Sequence, residues 1–179
     1  MNFIIKICVA AMFLTAWTTP VVARSEAARK PAGCELAEFH ELDFWVGNWR
    51  VVTPDKALSA NVTVAPILKG CALAEDWMAV HGNNGRGVST YNVATHRWEY
   101  FWVAANGYTS FWTGQLAGNA MRFEAAQPSP GAASLRRWNL TRLPDGRIKE
   151  EAFFSRDGGK TWPAQYTLYW ERIRSGGKQ

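Results

Sequence analysis

In the stretch CALAEDW, residues 71 to 77, one carboxylate stands where its neighbours are apolar. Read with the period of two that a strand imposes, Cys71, Leu73, Glu75 and Trp77 share a face. A carboxyl group on such a face loses hydration, which raises its pKa and suits it to exchange a proton near neutral pH. The other reading of Glu75 is an ion pair with an arginine of a neighbouring strand, such as Arg137. Two further runs present aromatic faces with the same period: Trp98, Tyr100 and Trp102 in RWEYFWVAA, and Tyr108, Ser110 and Trp112 in YTSFWTGQL. Rings around one acid describe a site for a small apolar or aromatic molecule, with Glu75, Trp77, Tyr100, Trp102, Trp112 and Arg137 as candidate contacts. The same set allows an enzyme in which Glu75 is the acid or base. It also allows a barrel packed solid by its rings and acting through its surface.

Other chemistries find less support. His40, His81 and His96 fall in no H-x-x-x-H or paired-cysteine spacing, so neither a metal nor a cofactor is expected. HGNNGRG, residues 81 to 87, lies between strand-like runs and reads as a hairpin loop, not a phosphate cradle. No serine or cysteine stands beside a base in a local nucleophile motif. The formal charge is +5, but Arg97, Arg122, Arg136, Arg137, Arg142, Arg147, Arg172 and Arg174 are dispersed and form no block. Nucleic acid is therefore not an expected partner, and Arg136-Arg137-Trp138 reads as the solvated face of a strand beside a core ring.

The elements that must position these residues are short apolar-aromatic runs separated by turn signals, the all-β pattern. The runs are 44–53, 60–68, 71–80, 87–94, 97–105, 108–117, 119–126, 134–143, 147–155 and 161–173, broken by TPDK, LKG, HGNNGRG, ATH, NG, AGN, QPSPGA, LPDG and SRDGG. Asn106-Gly107 is the strongest hairpin signal, predicting a two-residue turn of positive φ. Such a meander predicts an antiparallel up-and-down β-barrel of about ten strands, because closure removes the sheet edges. Only CELAEFHELDFWVG, ahead of the first strand, reads as a short helical turn.

The first 30 residues set the expected compartment. Lys6, an apolar run from Ile7 to Trp17, Pro20, and small residues at Val21 and Ala23 have the layout of a cleavable secretory signal, residues 1–23, cut near Ala23. A membrane anchor is the competing reading, but the run is short for a bilayer core of about 30 Å, so no stable membrane insertion is expected. Residues 24–33 read as a polar tether and 34–175 as a single domain, secreted or periplasmic. Cleavage leaves Cys34 and Cys71, which an oxidising compartment would pair as a disulfide, with two buried thiols as the alternative. Oligomeric state is not legible.

At DFWVGNWRV, residues 43 to 51, the chain resembles the lipocalin-like (calycin) barrels, whose G-x-W signature corresponds here to Gly47-Asn48-Trp49. The resemblance implies that Trp49 packs at the closed end beneath an arginine of the last strand, here Arg172 of LYWERIR. Together with LKGCALAEDW, the W-x-Y-x-W-V at 98 to 103 and SRDGGKTW, it extends to secreted bacterial barrels of about this length and to fatty-acid-binding-protein-like folds; it implies a fold and a compartment, but no activity. Nitrobindin, a haem barrel that this fold resembles, uses a late histidine as axial ligand, whereas no histidine follows His96 here. SRDGGKTW, residues 155 to 162, also resembles the Asp-box of sialidases. The roles it implies are structural: Asp157 accepts backbone N–H groups, Gly158 and Gly159 take unusual φ, and Trp162 caps the hairpin. Sialidases repeat the box on propeller blades and add an arginine triad; one copy in a chain this short does not make a glycosidase. The sequence thus points to a secreted binding protein for a small hydrophobic molecule.

Overall fold

The computed structural model describes residues 33–127 and 134–173, so the expected signal and nearly all of the tether lie outside the described residues. Ten antiparallel strands follow one another: β1 (Gly47–Val52), β2 (Leu58–Ile67), β3 (Ala72–Ala79), β4 (Gly85–Asn92), β5 (Arg97–Ala104), β6 (Thr109–Ala117), β7 (Ala120–Gln127), β8 (Ser134–Arg142), β9 (Ile148–Ser155) and β10 (Ala164–Arg172). Each pairs with its chain neighbours, and β1 pairs with β10 in the register Trp49↔Arg172 and Val51↔Trp170, closing the barrel. The ten expected runs and the ten strands correspond one to one. Alternation places Trp49 and Val51, Val62 and Val64, Leu73 and Glu75, Trp98 and Tyr100, Trp138 and Leu140, and Ile148 and Glu150 inside, all buried.

The opening segment forms two single 3-10 turns, Ala37–His40 and Asp43–Trp45, rather than a longer helix. It closes one end of the barrel. Leu42 and Trp45 are fully buried, and the Trp45 ring meets Tyr100, Trp138 and Trp170 edge-on or tilted at centroid distances of 6.2, 5.7 and 5.8 Å. Trp49 Nε1 donates to Trp45 O at 2.9 Å, and Trp98 Nε1 donates to Glu41 Oε2 at 2.9 Å. Arg172 lies 4.2 Å above the Trp49 ring and donates through Nη1 to Val46 O and through Nη2 to Phe44 O. Gly47 has φ of 150°, and a Cβ there would collide with the Arg172 guanidinium. The start of this segment is stapled by a disulfide between Cys34 and Cys71, whose Cα atoms are 4.9 Å apart and whose separation is 37 residues. A loop of that length is worth roughly 4 kcal/mol in chain-entropy terms.

The turns refine the expectation from composition. At Asn106-Gly107 the loop has three residues, not two: Gly107 N donates to Ala104 O, Ala104 N donates to Tyr108 O, and only Gly107 takes the left-handed region, at φ 82°. The Asn106 side chain instead accepts the Tyr108 N–H at 3.1 Å, which holds Asn106 out of that region. The same backbone pattern recurs at Thr53–Ala57 and Leu143–Arg147. The two-residue turn is Gly118-Asn119, between the paired Ala117 and Ala120. HGNNGRG is only half loop: Gly85 and Gly87 belong to β4, and the Trp102 and Tyr100 rings occupy the space that their Cβ atoms would fill.

Between β9 and β10, Asp157 holds the hairpin. Its Oδ1 accepts the N–H groups of Lys160 and Thr161 at 3.0 and 2.9 Å and the Ser155 hydroxyl at 2.7 Å, while Oδ2 accepts the Thr161 hydroxyl at 2.6 Å. These donors hold the Asp157 carboxyl far below the usual carboxylate range. Gly158 and Gly159 take φ of 70° and 90°, and Trp162 Nε1 donates to Gly159 O. Asp157→Ala should lower the thermal midpoint by several degrees and leave small-molecule affinity unchanged, read by calorimetry and by titration of the folded variant. Arg172→Ala should cost about 1–2 kcal/mol in urea unfolding, since it removes both a ring contact and the carbonyl partners of Phe44 and Val46.

Candidate functional site

The aromatic rings do not fill the barrel. Away from the 3-10 segment the interior opens into a cavity of about 680 Å³ whose lining includes Glu75 and Trp77 from β3, Tyr100 and Trp102 from β5, Ser110 and Trp112 from β6, and Trp138 from β8. The mouth carries Tyr108, Arg136, Phe154, Arg156 and Gln165. It lies at the end where β3 turns to β4, β5 to β6 and β9 to β10, because Trp77, Trp102 and Tyr166 stand nearer those turns than Glu75, Tyr100 and Trp170 do. A volume of this size is in the usual range for small-molecule sites.

Glu75 is 4% exposed, and its Oε2 accepts the Tyr100 hydroxyl at 2.6 Å. Burial pushes its carboxyl up to about 8; the Tyr100 hydrogen bond opposes the rise and the nearby Glu150 adds to it. The alternative reading of Glu75, an ion pair with Arg137, does not hold. Arg137 alternates with the inward Trp138, and its guanidinium bonds Glu124 at 2.7 to 2.9 Å and lies 3.9 Å over the Trp162 ring. Arg137 borders the cavity, but its charge is committed to those two partners. Its neighbour Arg136 stands at the mouth with Arg156 and donates to the Tyr108 hydroxyl at 2.7 Å.

Sequence reasoning passed over a second interior acid. Glu150, also 4% exposed, accepts Trp170 Nε1 at 2.6 Å and the Tyr166 hydroxyl at 2.9 Å. Burial raises its carboxyl as well, against the pull of Trp170, Tyr166 and the nearby Trp138. The signal was present in IKEEAFF, since a period of two places Glu150 on the face of Ile148 and Ala152. Tyr100 and Tyr166 are each driven well above the ordinary phenol range, first by burial and then by the acid that each one touches. Trp138 joins the expected rings, 5.0 Å from Tyr100 and 6.2 Å from Trp112. Tyr100 itself stacks against Trp102 at 6.4 Å.

Glu75, Trp77, Tyr100, Trp102 and Trp112 thus line one cavity, while Gly47, Trp49, Arg172, Asp157, Gly159 and Trp162 serve the closed end or the β9–β10 hairpin. Among the described residues no group of three or more His, Cys, Asp or Glu is placed to hold a metal, and no helix is long and apolar enough to cross a membrane. Compared with known proteins, the chain matches no family model, and no curated protein aligns with it significantly.

A buried acid whose carboxyl sits near 8 in the fold and near 4.5 when solvated keeps a proton that the unfolded chain loses. The stability it allows is therefore full below about pH 4.5 and drains away as pH rises to about 8, and Glu150 drains in the same direction. The thermal midpoint should fall between those values. Glu75→Gln should flatten the fall and raise stability at pH 8 by on the order of 1 to a few kcal/mol, measured by unfolding at a series of pH values. An unchanged profile in that variant would show that Glu75 is not the titrating group.

Proposed function

We propose that the protein is a non-covalent binder of a small, largely apolar molecule, held inside the barrel among Trp77, Tyr100, Trp102, Trp112 and Trp138. The observation that carries this reading is the cavity of about 680 Å³, with aromatic rings around two buried carboxyl groups and one end open to solvent. The Cys34–Cys71 disulfide and the signal-like first 23 residues support a secreted or periplasmic setting. The barrel, the Gly47–Trp49 signature and the Arg172 pairing support membership of the lipocalin-like barrels. No nucleic acid or membrane enters the reading.

A second reading is favoured by one observation. Glu75, held near 8 and bonded to a tyrosine hydroxyl, is poised to move a proton to or from a substrate in the same cavity. The two readings separate experimentally. Native mass spectrometry of protein taken from its own host should show a stoichiometric adduct, and titration with fatty acids or small aromatics should change tryptophan emission. An enzyme should consume the compound and lose at least about a hundredfold in turnover in Glu75→Gln. Protein that carries no adduct and keeps its emission unchanged with every compound tried removes both.

A further inference from the structure

Buried charges in proteins are ordinarily paired with an opposite charge. The depth of the cavity departs from that rule with acids, and the basic side chains stand apart from them. Two carboxyl groups, Glu75 and Glu150, lie in its depth, and among the described residues neither forms an ion pair. Their partners are neutral donors: Tyr100 for Glu75, Tyr166 and Trp170 for Glu150. Both Glu150 oxygens are thereby satisfied, the arrangement that suits an ionised carboxylate, whereas Glu75 Oε1 has no hydrogen bond to a described residue. The basic side chains that line the cavity are engaged at or beyond the mouth: Arg136 with Tyr108, Arg137 with Glu124, and Arg156 over the Phe154 ring. Aromatic rings wall the carboxyl pair, and ring faces attract cations.

Resting on the reading of this cavity as a binding site, we propose that its ligand is an organic cation: a protonated amine on an apolar or aromatic body, with the nitrogen placed at Glu75 and Glu150. The ammonium supplies the one charge that the interior lacks, and its N–H groups reach the free Glu75 oxygen. The body lies between Trp77, Trp102 and Trp112 toward the mouth. A fatty acid or other anion would meet two carboxyl groups and no base at the floor. A neutral molecule would leave them unpaired.

Binding of this kind is linked to protons. The groups facing Glu75 are Tyr100 from β5, Glu150 from β9, Tyr166 from β10 and, toward the mouth, Arg136 from β8; Asp76 is adjacent on β3. The flanking strands place Val64 and Gly87 opposite Glu75, neither charged. An ammonium beside Glu75 favours its ionised form and lowers its pKa from about 8. Uptake of an amine near neutral pH therefore releases a proton, and affinity rises with pH up to that value.

The test uses three probes with similar bodies, phenethylamine, 2-phenylethanol and 3-phenylpropanoate, titrated by calorimetry and tryptophan emission. The amine should bind about tenfold or more tighter than the alcohol, with the acid weakest. Calorimetry near neutral pH in two buffers of different ionisation enthalpy should show proton release for the amine alone. Glu75→Gln and Glu150→Gln should each weaken the amine by about tenfold and leave the alcohol within about twofold. An alcohol or acid that binds as tightly as the amine overturns the cation and leaves the cavity reading standing. If none of the three binds at millimolar concentration, both fall. Because the ranking is read first on the wild-type protein, the outcome does not depend on either variant folding.

Discussion

Closure of the sheet between β1 and β10 is the constraint on which everything else rests. A ten-stranded barrel encloses more volume than side chains alone fill, so its two ends need separate treatment. One end is closed by a segment that lies outside the sheet, held by Trp45 beneath three rings, by Arg172 across Trp49, and by a disulfide. The other is left open. The cavity is therefore a product of strand number, and the residues lining it were free to be chosen for chemistry instead of for filling space.

The interior tolerates two acids without a basic partner. Burial raises the ionisation cost of both carboxyl groups, Glu150 adds to that of Glu75, and the chain accepts the cost without placing a base beside either. Tyrosine and indole donors lessen the penalty of ionisation without supplying an opposite charge. Under the proposed binding reading, the ligand would make an interaction that the protein alone leaves unmade, at a cost in stability. The outer surface behaves differently: Arg86 meets Asp76, Arg137 meets Glu124, and Lys149 meets Glu151, each pair crossing or running along the sheet in solvent.

Most of the fold was legible because the signal that specifies it is local. Alternation marks a strand wherever a run is half apolar, and all but one of the breaks between runs here carry Gly or Pro. Where local signals were ambiguous the reading slipped. Gly85 and Gly87 look like loop residues, but their absence of a side chain serves the Tyr100 and Trp102 rings of the neighbouring strand, a pairing that no short window contains. Arg136 and Arg137 are adjacent, so one step of register decides which faces inward; Trp138 fixed the answer, since a ring buried at 7% exposure holds its own parity. Glu150 was hidden by its neighbour Glu151, because two consecutive acids read as a solvated pair until the partner strand assigns one of them to the interior. Asn106-Gly107 announced a turn correctly and its length wrongly, the difference being one side-chain hydrogen bond.

An even number of strands in an up-and-down barrel brings the chain back to where it started. Ile173 ends beside Asn48, to which its N–H donates, and Cys34 is fixed to Cys71 in the turn between β2 and β3, at that same closed end. Both limits of the described barrel therefore sit at its base, with the mouth turned the opposite way. The described barrel has the geometry of a cup held by its foot: a fused reporter, an affinity handle or a solid support joined to the barrel at that end leaves the rim clear. Immobilised in this way, every copy would present its opening to the flowing solution, an orientation that attachment through scattered surface lysines would not give.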